Sequence, residues 1–306
     1  MTRPAKVTIV EVGPRDGLQN EPRTVSVEQR IALIDKLSLA GLPAVEAGSF
    51  VSPRAIPQMA RTDEVLRGIT RLADTRYPVL VPNAIGMRRA IEAGARDVAV
   101  FVSATESFSR RNINCSIAQS LEHVAEVAAL AETHGIRVRG YVSCVLGCPY
   151  EGDVPAAAVA GVAASLSSLG CHEISLGDTI GIGTAQSAYD MVQAVARHVP
   201  IDRLAIHFHD TYGQALANVL ACLDAGVSVV DSAVGGLGGC PYAQGASGNL
   251  ATEDLLYMLD GLGVKSGVAM DPLLDAVDFI TTELDIVAQS KVFAANAAKV
   301  RATFRG

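Results

Sequence analysis

Two histidines separated by one residue, His207 and His209, carry the clearest chemical signal in this chain of 306 residues. In an extended strand alternate side chains point the same way, so the two imidazoles share one face while Ile206 and Phe208 share the other. Two imidazoles on one face form a natural pair of metal ligands, although a hydrogen-bonded core pair gives the same pattern. The spacing of the two histidines is therefore consistent with a metal site and with a core pair.

Further donor atoms come from distant parts of the chain. Asp16 follows the first strand-like run, and Cys240 and Asn249 lie in a glycine-rich segment. A thiolate as third ligand would indicate zinc. Two histidines with the oxygen atoms of Asp16 and Asn249, and with open positions for water, suit Mg²⁺ or Mn²⁺ better. We therefore favour an oxygen-rich site for one of these two ions.

The glycine-rich segment, residues 235–249, has six glycines among its fifteen residues. Glycine reaches positive φ and lets the backbone approach a ligand closely, so we predict a mobile catalytic loop. Cys240 in this loop is either a small packed thiol or a general acid. We favour the acid, because an ordinary thiol with a pKa of about 8.5 is protonated at neutral pH and can donate its proton.

The elements that must position these residues alternate regularly along the chain. We predict strands at 7–12, 44–46, 78–81, 97–103, 137–143, 172–177, 204–209 and 227–233. We predict helices at 27–40, near 60–70, 86–94, 117–134, 155–169, 185–198, 214–225 and 252–262. This pattern matches a single-domain (β/α)8 TIM barrel over about residues 7–265, followed by one or two extra helices in 271–306. An open doubly wound sheet alternates similarly, but it normally has a glycine-rich phosphate turn after its first strand, and this chain lacks one.

Polar side chains stand at the ends of the predicted strands, where TIM barrels carry their active sites. Arg15 beside Asp16 supplies either a cation next to a metal-bound carboxylate or a surface ion pair. Glu46 and Asp178 are further carboxylates that would act in catalysis or would anchor Arg15 or a ligand histidine. The remaining polar candidates at these ends are Ser49, Asn83, Ser103, Tyr141, Ser143 and Ser175. Glu11 and Arg139 are expected lower in the barrel, in structural pairs.

Composition limits the partners and the compartment. A net charge of −7 argues against nucleic acid as the main partner, because phosphate contacts need clustered Lys and Arg. No apolar run reaches about 18 residues, so we predict no membrane span. Six cysteines without a CxxC pair are too sparse for a disulfide scaffold. The first predicted strand begins almost at once, and we therefore expect a cytoplasmic protein without a targeting segment.

Several segments resemble hydroxymethylglutaryl-CoA lyases, and together they extend over residues 7–290. The sequence Gly-Leu-Gly-Gly-Cys-Pro-Tyr at 236–242 is specific to these lyases among related barrel metalloenzymes. The other matching segments are 10–20, 49–53, 140–144, 146–152, 173–181, 207–217 and 245–254. The resemblance implies cleavage of 3-hydroxy-3-methylglutaryl-CoA to acetyl-CoA and acetoacetate, a step of leucine degradation and ketone-body formation.

The same resemblance assigns roles to individual residues. It implies that a divalent cation, Mg²⁺ or Mn²⁺, is held by Asp16, His207, His209 and Asn249. It also implies that Arg15 contacts the thioester carbonyl and that Cys240 protonates the product. Glu46, Ser49, Tyr141, Ser175 and Asp178 match positions around the substrate. Either His207 or Asp16 would be the base that takes the hydroxyl proton.

Alternatives to this assignment remain. Ala47 and Gly48 replace a hydroxyl-bearing pair expected in animal lyases, and bacterial relatives include lyases for longer 3-hydroxy-3-alkylglutaryl-CoA analogues. A Claisen-type synthase or aldolase on the same metal barrel would lack the loop cysteine, and a non-catalytic metal or acyl-CoA binding protein would need neither Arg15 nor Cys240. We further expect a bacterial homodimer, with Arg110, Arg111 and Asn112 as possible contacts for the CoA phosphates.

Overall fold

Short parallel strands form the inner layer of the fold. The computed structural model describes residues 3–239 and 248–303. Within these residues the strands are β1 Thr8–Glu11, β2 Ala44–Val45, β3 Gly48–Ser49, β4 Val79–Leu80, β5 Asp97–Ser103, β6 Arg137–Ser143, β7 Glu173–Asp178, β8 Leu204–Phe208 and β9 Val229–Ser232. Their outward side chains are mostly Val, Ile, Leu and Ala and are buried, as expected for a parallel sheet covered by helices.

The sheet closes on itself through β2 and β3. Its strand order is β2-β1-β9-β8-β7-β6-β5-β4-β3, and every pair is parallel. Only Glu46 and Ala47 separate the two edge strands, and their amides donate to the carbonyls of Glu11 and Pro78, each at 2.8 Å. Residues 44–49 therefore act as one bent strand that joins both edges. The predicted (β/α)8 TIM barrel is confirmed.

Helices surround the barrel, and four of the described helices begin with a side-chain cap, from Ser26, Asn83, Ser116 and Thr184. Ser26 before α1 and Ser116 before α5 form capping boxes with Gln29 and Gln119, and Gly135 ends α5 at a φ of +63°. The described helices are α1 Val27–Leu39, α2 Thr62–Gly68, α3 Ala84–Glu92, α4 Glu106–Ile113, α5 Ile117–His134, α6 Ala156–Ser168, α7 Ala185–Val195, α8 Ala215–Ala225, α9 Thr252–Gly261, α10 Met270–Leu284 and α11 Lys291–Thr303. The sequence analysis missed α4, a short and strongly polar helix.

The two C-terminal helices pack on the outside of the barrel, as predicted. Helix α10 lies against α1, and α11 lies against α9. Asp254 in α9 accepts hydrogen bonds from the Ser290 hydroxyl at 2.8 Å and from the amides of Lys291 and Val292 at 3.0 and 2.8 Å. This carboxylate therefore fixes the start of α11, because a negative charge at a helix N-terminus satisfies its free amides.

Two buried carboxyl groups hold the start of the glycine-rich segment. Glu11 accepts hydrogen bonds from the amides of Gly13 and Val234, at 2.8 and 2.9 Å, and from the Thr252 hydroxyl at 2.6 Å. Glu253 accepts from the Gly235 amide at 3.1 Å. Glu11 thus binds backbone amides and a hydroxyl, where the sequence analysis expected a structural pair. Burial raises the pKa of Glu11 to about 7 and that of Glu253 to about 8.

These raised pKa values predict that the protein loses stability as the pH rises. Below the ordinary carboxyl pKa, these groups are protonated in both the folded and the unfolded protein. Above that pKa the unfolded chain ionises first, because its carboxyl groups keep their ordinary pKa. The free energy of unfolding therefore falls as the pH rises, until the pH passes the raised pKa of the folded protein. Between about pH 5 and about pH 8, we expect a smaller fall in melting temperature for Glu253→Gln than for the wild type, because the variant lacks one of these two carboxyl groups. Each unit of difference between the folded and unfolded pKa of that group corresponds to about 1.4 kcal/mol. Glu92→Gln, at an exposed position of α3, is the control and should follow the wild type. Parallel pH curves for Glu253→Gln and the wild type would contradict the prediction.

Candidate active site

The first loop after β1 brings Arg15 and Asp16 to the C-terminal end of the barrel. Residues Gly13–Gly17 form one turn of π-helix, and the amide of Asp16 donates to the Val12 carbonyl at 2.7 Å. Single π-turns are frequent at functional sites because they re-aim side chains within a compact turn. Here the turn directs two adjacent charged side chains into one cavity.

Asp16, His207 and His209 form a cluster of potential metal ligands. One ligand atom from each residue lies within 4.8 Å of the others. His207 Nε2 is 3.9 Å from Asp16 Oδ2, and the two imidazole rings are 5.5 Å apart. Phe208 points to the other side of β8 and is buried in the hydrophobic core. The alternation predicted for this strand therefore gives the two histidines a common face.

The ionisation states of these groups suit a cation. Burial alone would raise the pKa of Asp16, but Arg15 and the two histidines oppose it and lower the pKa to about 2. Burial, with His207 nearby, lowers the pKa of His209 to about 4. At neutral pH the site therefore offers an ionised carboxylate and a neutral imidazole at His209, the forms in which these groups bind metals.

An unsatisfied polar atom supports the same conclusion. His209 Nδ1 is buried and has no hydrogen-bond partner within the described part of the chain. Most buried polar atoms have a partner, so this nitrogen beside Asp16 and His207 is available to a bound group. The nitrogen and oxygen donors present fit a divalent cation.

Asn249 reaches the same cluster from the far end of the glycine-rich segment. Its Nδ2 atom donates to Asp16 Oδ2 at 2.9 Å and to the Leu237 carbonyl at 3.1 Å. The structure thus brings Asn249 to the ligand cluster with its amide nitrogen, and not its oxygen, facing Asp16. Ligation through the oxygen would require the carboxamide to turn, and the predicted ligand role stays a prediction.

The two ends of the glycine-rich segment meet beside this cluster. Gly238 has a φ of +114°, and a Cβ atom there would lie 2.8 Å from Asn249 Nδ2. A Cβ atom on Gly248 would lie 2.0 Å from the Gly236 carbonyl oxygen. Larger residues would force the two ends apart, so glycine is required at both positions. Cys240, the predicted general acid, lies outside the described residues.

A second cluster surrounds the guanidinium group of Arg15. Arg15 donates to Glu46 Oε2 at 2.8 Å and to Asp16 Oδ1 at 2.6 Å. Its guanidinium carbon lies 5.6 Å from the centre of the Tyr141 ring. Burial raises the pKa of Glu46, although the Arg15 charge opposes this. The prediction that a carboxylate would anchor Arg15 is confirmed for Glu46. Arg15 is therefore a fixed cation with its side chain held on both sides.

Both clusters open into one cavity of about 840 Å³. Arg15, Asp16, Tyr141 and the two histidines line its polar part. Apolar side chains continue the wall, including Val51, Leu80, Phe101 and Phe108. A concave site with a few converging polar groups and an apolar wall is typical of small-molecule binding. Asn112, one of the predicted CoA contacts, also lines the cavity, whereas Arg110 and Arg111 do not. All three residues are exposed.

Comparison with known proteins places this site in a family. The HMGL-like family model matches residues 6–280. The chain belongs to the HMGL-like family. The mitochondrial hydroxymethylglutaryl-CoA lyase of Bos taurus is 59% identical over 291 residues, covering 95% of this chain and 90% of that protein. The resemblance found in the sequence motifs is thereby confirmed.

Solved structures of HMGL-like proteins agree with this assignment. The hydroxymethylglutaryl-CoA lyase from Pseudomonas aeruginosa aligns with a TM-score of 0.96 and 54% identity, covering 98% of this chain and 100% of that one. An HMG-CoA lyase from Acinetobacter baumannii, solved in complex with coenzyme A and 3-methylmalate, aligns with a TM-score of 0.92 and 37% identity over 96% of this chain and 97% of that one. Among the described residues, no helix has the length and apolar character of a membrane span.

Besides Glu46 and Asn249, three further predicted site residues of this HMGL-like chain lie outside the cavity wall. Asp178 Oδ2 accepts a hydrogen bond from the Gly183 amide at 2.8 Å, beneath the turn after β7. The Ser175 hydroxyl donates to Asp231 at 3.0 Å, inside the barrel. Ser49 is buried, and its hydroxyl accepts from the Val51 amide at 3.3 Å. None of the three lines the cavity, and their predicted contacts with substrate stay predictions.

Sequence reasoning missed Asp231, a fully enclosed carboxylate on β9. Asp231 lies opposite His207 in the register of β8 and β9, and its Oδ2 is 3.3 Å from His207 Nδ1. The sequence points to Glu46 or Asp178 as the anchor of a ligand histidine, but the carboxylate next to His207 Nδ1 is that of Asp231. The signal in the sequence was the alternation of side-chain direction along Val229–Ser232. This alternation turns Asp231 to the inside of the barrel, like the inward residues of the neighbouring strands.

We expect His209→Ala to weaken Mn²⁺ binding by at least about 100-fold, since loss of an outer partner of a metal ligand already costs about 10–100-fold. Electron paramagnetic resonance of free Mn²⁺ during a titration measures this without substrate. His134→Ala, at the exposed end of α5, should bind as the wild type does. Equal Mn²⁺ affinity in His209→Ala and the wild type would place the cation elsewhere.

Proposed function

We propose that this chain is a divalent-metal-dependent lyase that cleaves 3-hydroxy-3-methylglutaryl-CoA to acetyl-CoA and acetoacetate. The observation that carries the proposal is the cluster of Asp16, His207 and His209, which shares one cavity with the anchored guanidinium of Arg15. Relatives that bear this name match nearly the whole chain, at 59% identity over 95% of its length for the bovine protein.

The bond changes of the reaction define what the site must do. The C3 hydroxyl loses its proton, the C2–C3 bond breaks, and its electron pair remains on C2 as a thioester enolate. The former C3 atom becomes the ketone carbon of acetoacetate. Protonation of C2 then completes acetyl-CoA. A divalent cation bound to Asp16, His207, His209 and Asn249 would lower the pKa of the C3 hydroxyl.

The residues of the cavity supply the remaining functions. His207 or Asp16 takes the hydroxyl proton, and His207 would do so only where its Nε2 lone pair does not hold the cation. Arg15 stabilises the charge that develops on the thioester oxygen, and Glu46 and Tyr141 hold its guanidinium in place before the reaction begins. The thiol of Cys240 donates the proton to C2. The glycine-rich segment that carries Cys240 excludes water from the enolate.

A substrate comparison tests the proposed activity. Purified protein with Mg²⁺ or Mn²⁺ is incubated with 3-hydroxy-3-methylglutaryl-CoA, and separately with an analogue whose 3-alkyl group is longer, and the products are identified by mass spectrometry. We expect equimolar acetyl-CoA and acetoacetate from the methyl substrate, at the higher kcat/KM. Cleavage of the longer analogue alone would redirect the substrate assignment. Cleavage of neither substrate would overturn the proposed activity and would favour a Claisen-type synthase or aldolase.

We further propose a reducing compartment, the bacterial cytoplasm, and a homodimer. The five cysteines among the described residues are free thiols, which agrees with reducing surroundings. The similar bovine protein is mitochondrial, whereas a Danio rerio relative with 58% identity is described as cytoplasmic. Light scattering of the purified protein tests the dimer; a monomeric mass would overturn it.

A further inference from the structure

Asp231 lies at the centre of a buried polar network inside the barrel. Arg139 donates to both of its carboxylate oxygens, at 2.6 Å to Oδ1 and at 2.9 Å to Oδ2. The Ser175 hydroxyl donates to Oδ2 at 3.0 Å. Arg139 in turn donates to Glu173 at 2.6 Å and to the Tyr141 hydroxyl at 2.6 Å. A carboxylate held by this many donors has almost no freedom to rotate.

The imidazole of His207 lies between two carboxylates. Its Nδ1 atom is 3.3 Å from Asp231 Oδ2, and its Nε2 atom is 3.9 Å from Asp16 Oδ2 in the ligand cluster. His207 Nδ1 is buried and makes no hydrogen bond that meets the usual geometric criteria among the described residues, so its contact with Asp231 is the ion-pair distance of 3.3 Å. The Tyr141 ring meets the imidazole edge to face, with 5.9 Å between centres, and helps to fix its plane.

We propose that Asp231 is a positioning residue that keeps a proton of His207 on Nδ1 and thereby directs the Nε2 lone pair toward the ligand cluster. The inference deepens the proposed function, because it rests on His207 working in that cluster. Asp231 would not touch the substrate or the cation. Its effect would be to select one of two tautomers of the ring before any ligand arrives.

The charge state of Asp231 supports this assignment. Both of its oxygens accept hydrogen bonds from the Arg139 guanidinium, the two-pronged arrangement that an ionised carboxylate forms with arginine. An ionised carboxylate can only accept hydrogen bonds, so the nitrogen that faces it must carry the proton. The other nitrogen of a neutral imidazole then has the lone pair, which is the form needed to bind a cation or to accept a proton.

Two measurements test the role of Asp231. In ¹⁵N NMR spectra of the wild type without metal, with the His207 signals identified by comparison with His207→Gln, we expect a protonated Nδ1 and an unprotonated Nε2. In Asp231→Asn the acceptor charge is lost, and we expect a mixture of tautomers. Mn²⁺ affinity should fall by about 10–100-fold, the usual effect of losing the outer partner of a ligand histidine.

Glu173→Gln is the matched control, because it also removes a buried carboxylate from Arg139 but does not contact His207. Glu173→Gln should keep the wild-type tautomer of His207, and its Mn²⁺ affinity should stay within about twofold of the wild type. Loss of an outer partner of a metal ligand would instead lower the affinity by about 10–100-fold. A wild-type His207 protonated on Nε2 would overturn the proposal, as would unchanged Mn²⁺ binding in Asp231→Asn. If the wild type bound no Mn²⁺, the proposed metal site would be wrong. The NMR spectrum of the wild type tests the tautomer of His207 separately, and it needs neither bound metal nor a folded Asp231→Asn variant.

Discussion

Arg15→Met is expected to lower kcat/KM for 3-hydroxy-3-methylglutaryl-CoA by about 10³-fold, the upper range for losing one group that stabilises an oxyanion. The reason is the preorganisation of this side chain. Glu46 and Asp16 accept its hydrogen bonds at 2.8 and 2.6 Å, so the guanidinium needs no rearrangement as charge develops. Steady-state kinetics at saturating Mg²⁺ separate this loss from any change in cation affinity.

Two companion variants make the Arg15 experiment specific. Arg15→Lys keeps the charge but loses the planar fork, and we expect activity between those of Arg15→Met and the wild type. Arg67→Met removes an exposed arginine that pairs with Asp63 on α2 and should leave the kinetics unchanged. If Arg15→Met kept more than about a tenth of the wild-type kcat/KM, an oxyanion role would be untenable, because such roles are worth about 10²–10³-fold.

Cys240→Ala is expected to lower kcat by about 10²–10⁴-fold, the range for loss of a general acid, while KM changes little. Alanine keeps the volume close to that of cysteine but has no proton to give to the enolate carbon. Cys240 lies outside the described residues, so the expectation rests on its sequence position in the loop whose ends meet beside Asp16 and Asn249. Steady-state kinetics with the wild type measured in parallel give both constants.

The control for Cys240 is another thiol of the same chain. Cys222 is buried on α8 in the hydrophobic core and does not line the cavity. Cys222→Ala should therefore lower thermal stability slightly and leave kcat unchanged. An active Cys240→Ala enzyme would instead favour a synthase or aldolase, since those reactions do not need this thiol.

Much of the barrel could be predicted because its signals are local. The alternation of β-branched runs with amphipathic segments gave the strand count, and the spacing of His207 and His209 gave their common face. Asp16 followed from its position at the end of β1, where TIM barrels carry catalytic groups. Each of these inferences uses only neighbouring residues and a known period.

The remaining features depend on contacts between distant segments. The Glu46–Ala47 bend divides one strand into β2 and β3, and it is visible only when both edges of the sheet are paired. Asp178 looked like a residue of the barrel mouth, but the turn 181–183 folds over its carboxylate and engages it. Asp231 lies in a predicted strand that also contains Ser228 and Ser232, and its role depends on contacts with Arg139 and His207 from other strands.

The most direct test of the central claim is the metal dependence of acetoacetate formation. The purified protein is treated with a chelator, dialysed and assayed with 3-hydroxy-3-methylglutaryl-CoA before and after Mg²⁺ or Mn²⁺ is restored. We expect almost no product without the cation and full recovery of equimolar acetoacetate and acetyl-CoA when it is returned. Cleavage at an undiminished rate in the metal-free protein would contradict the proposed mechanism.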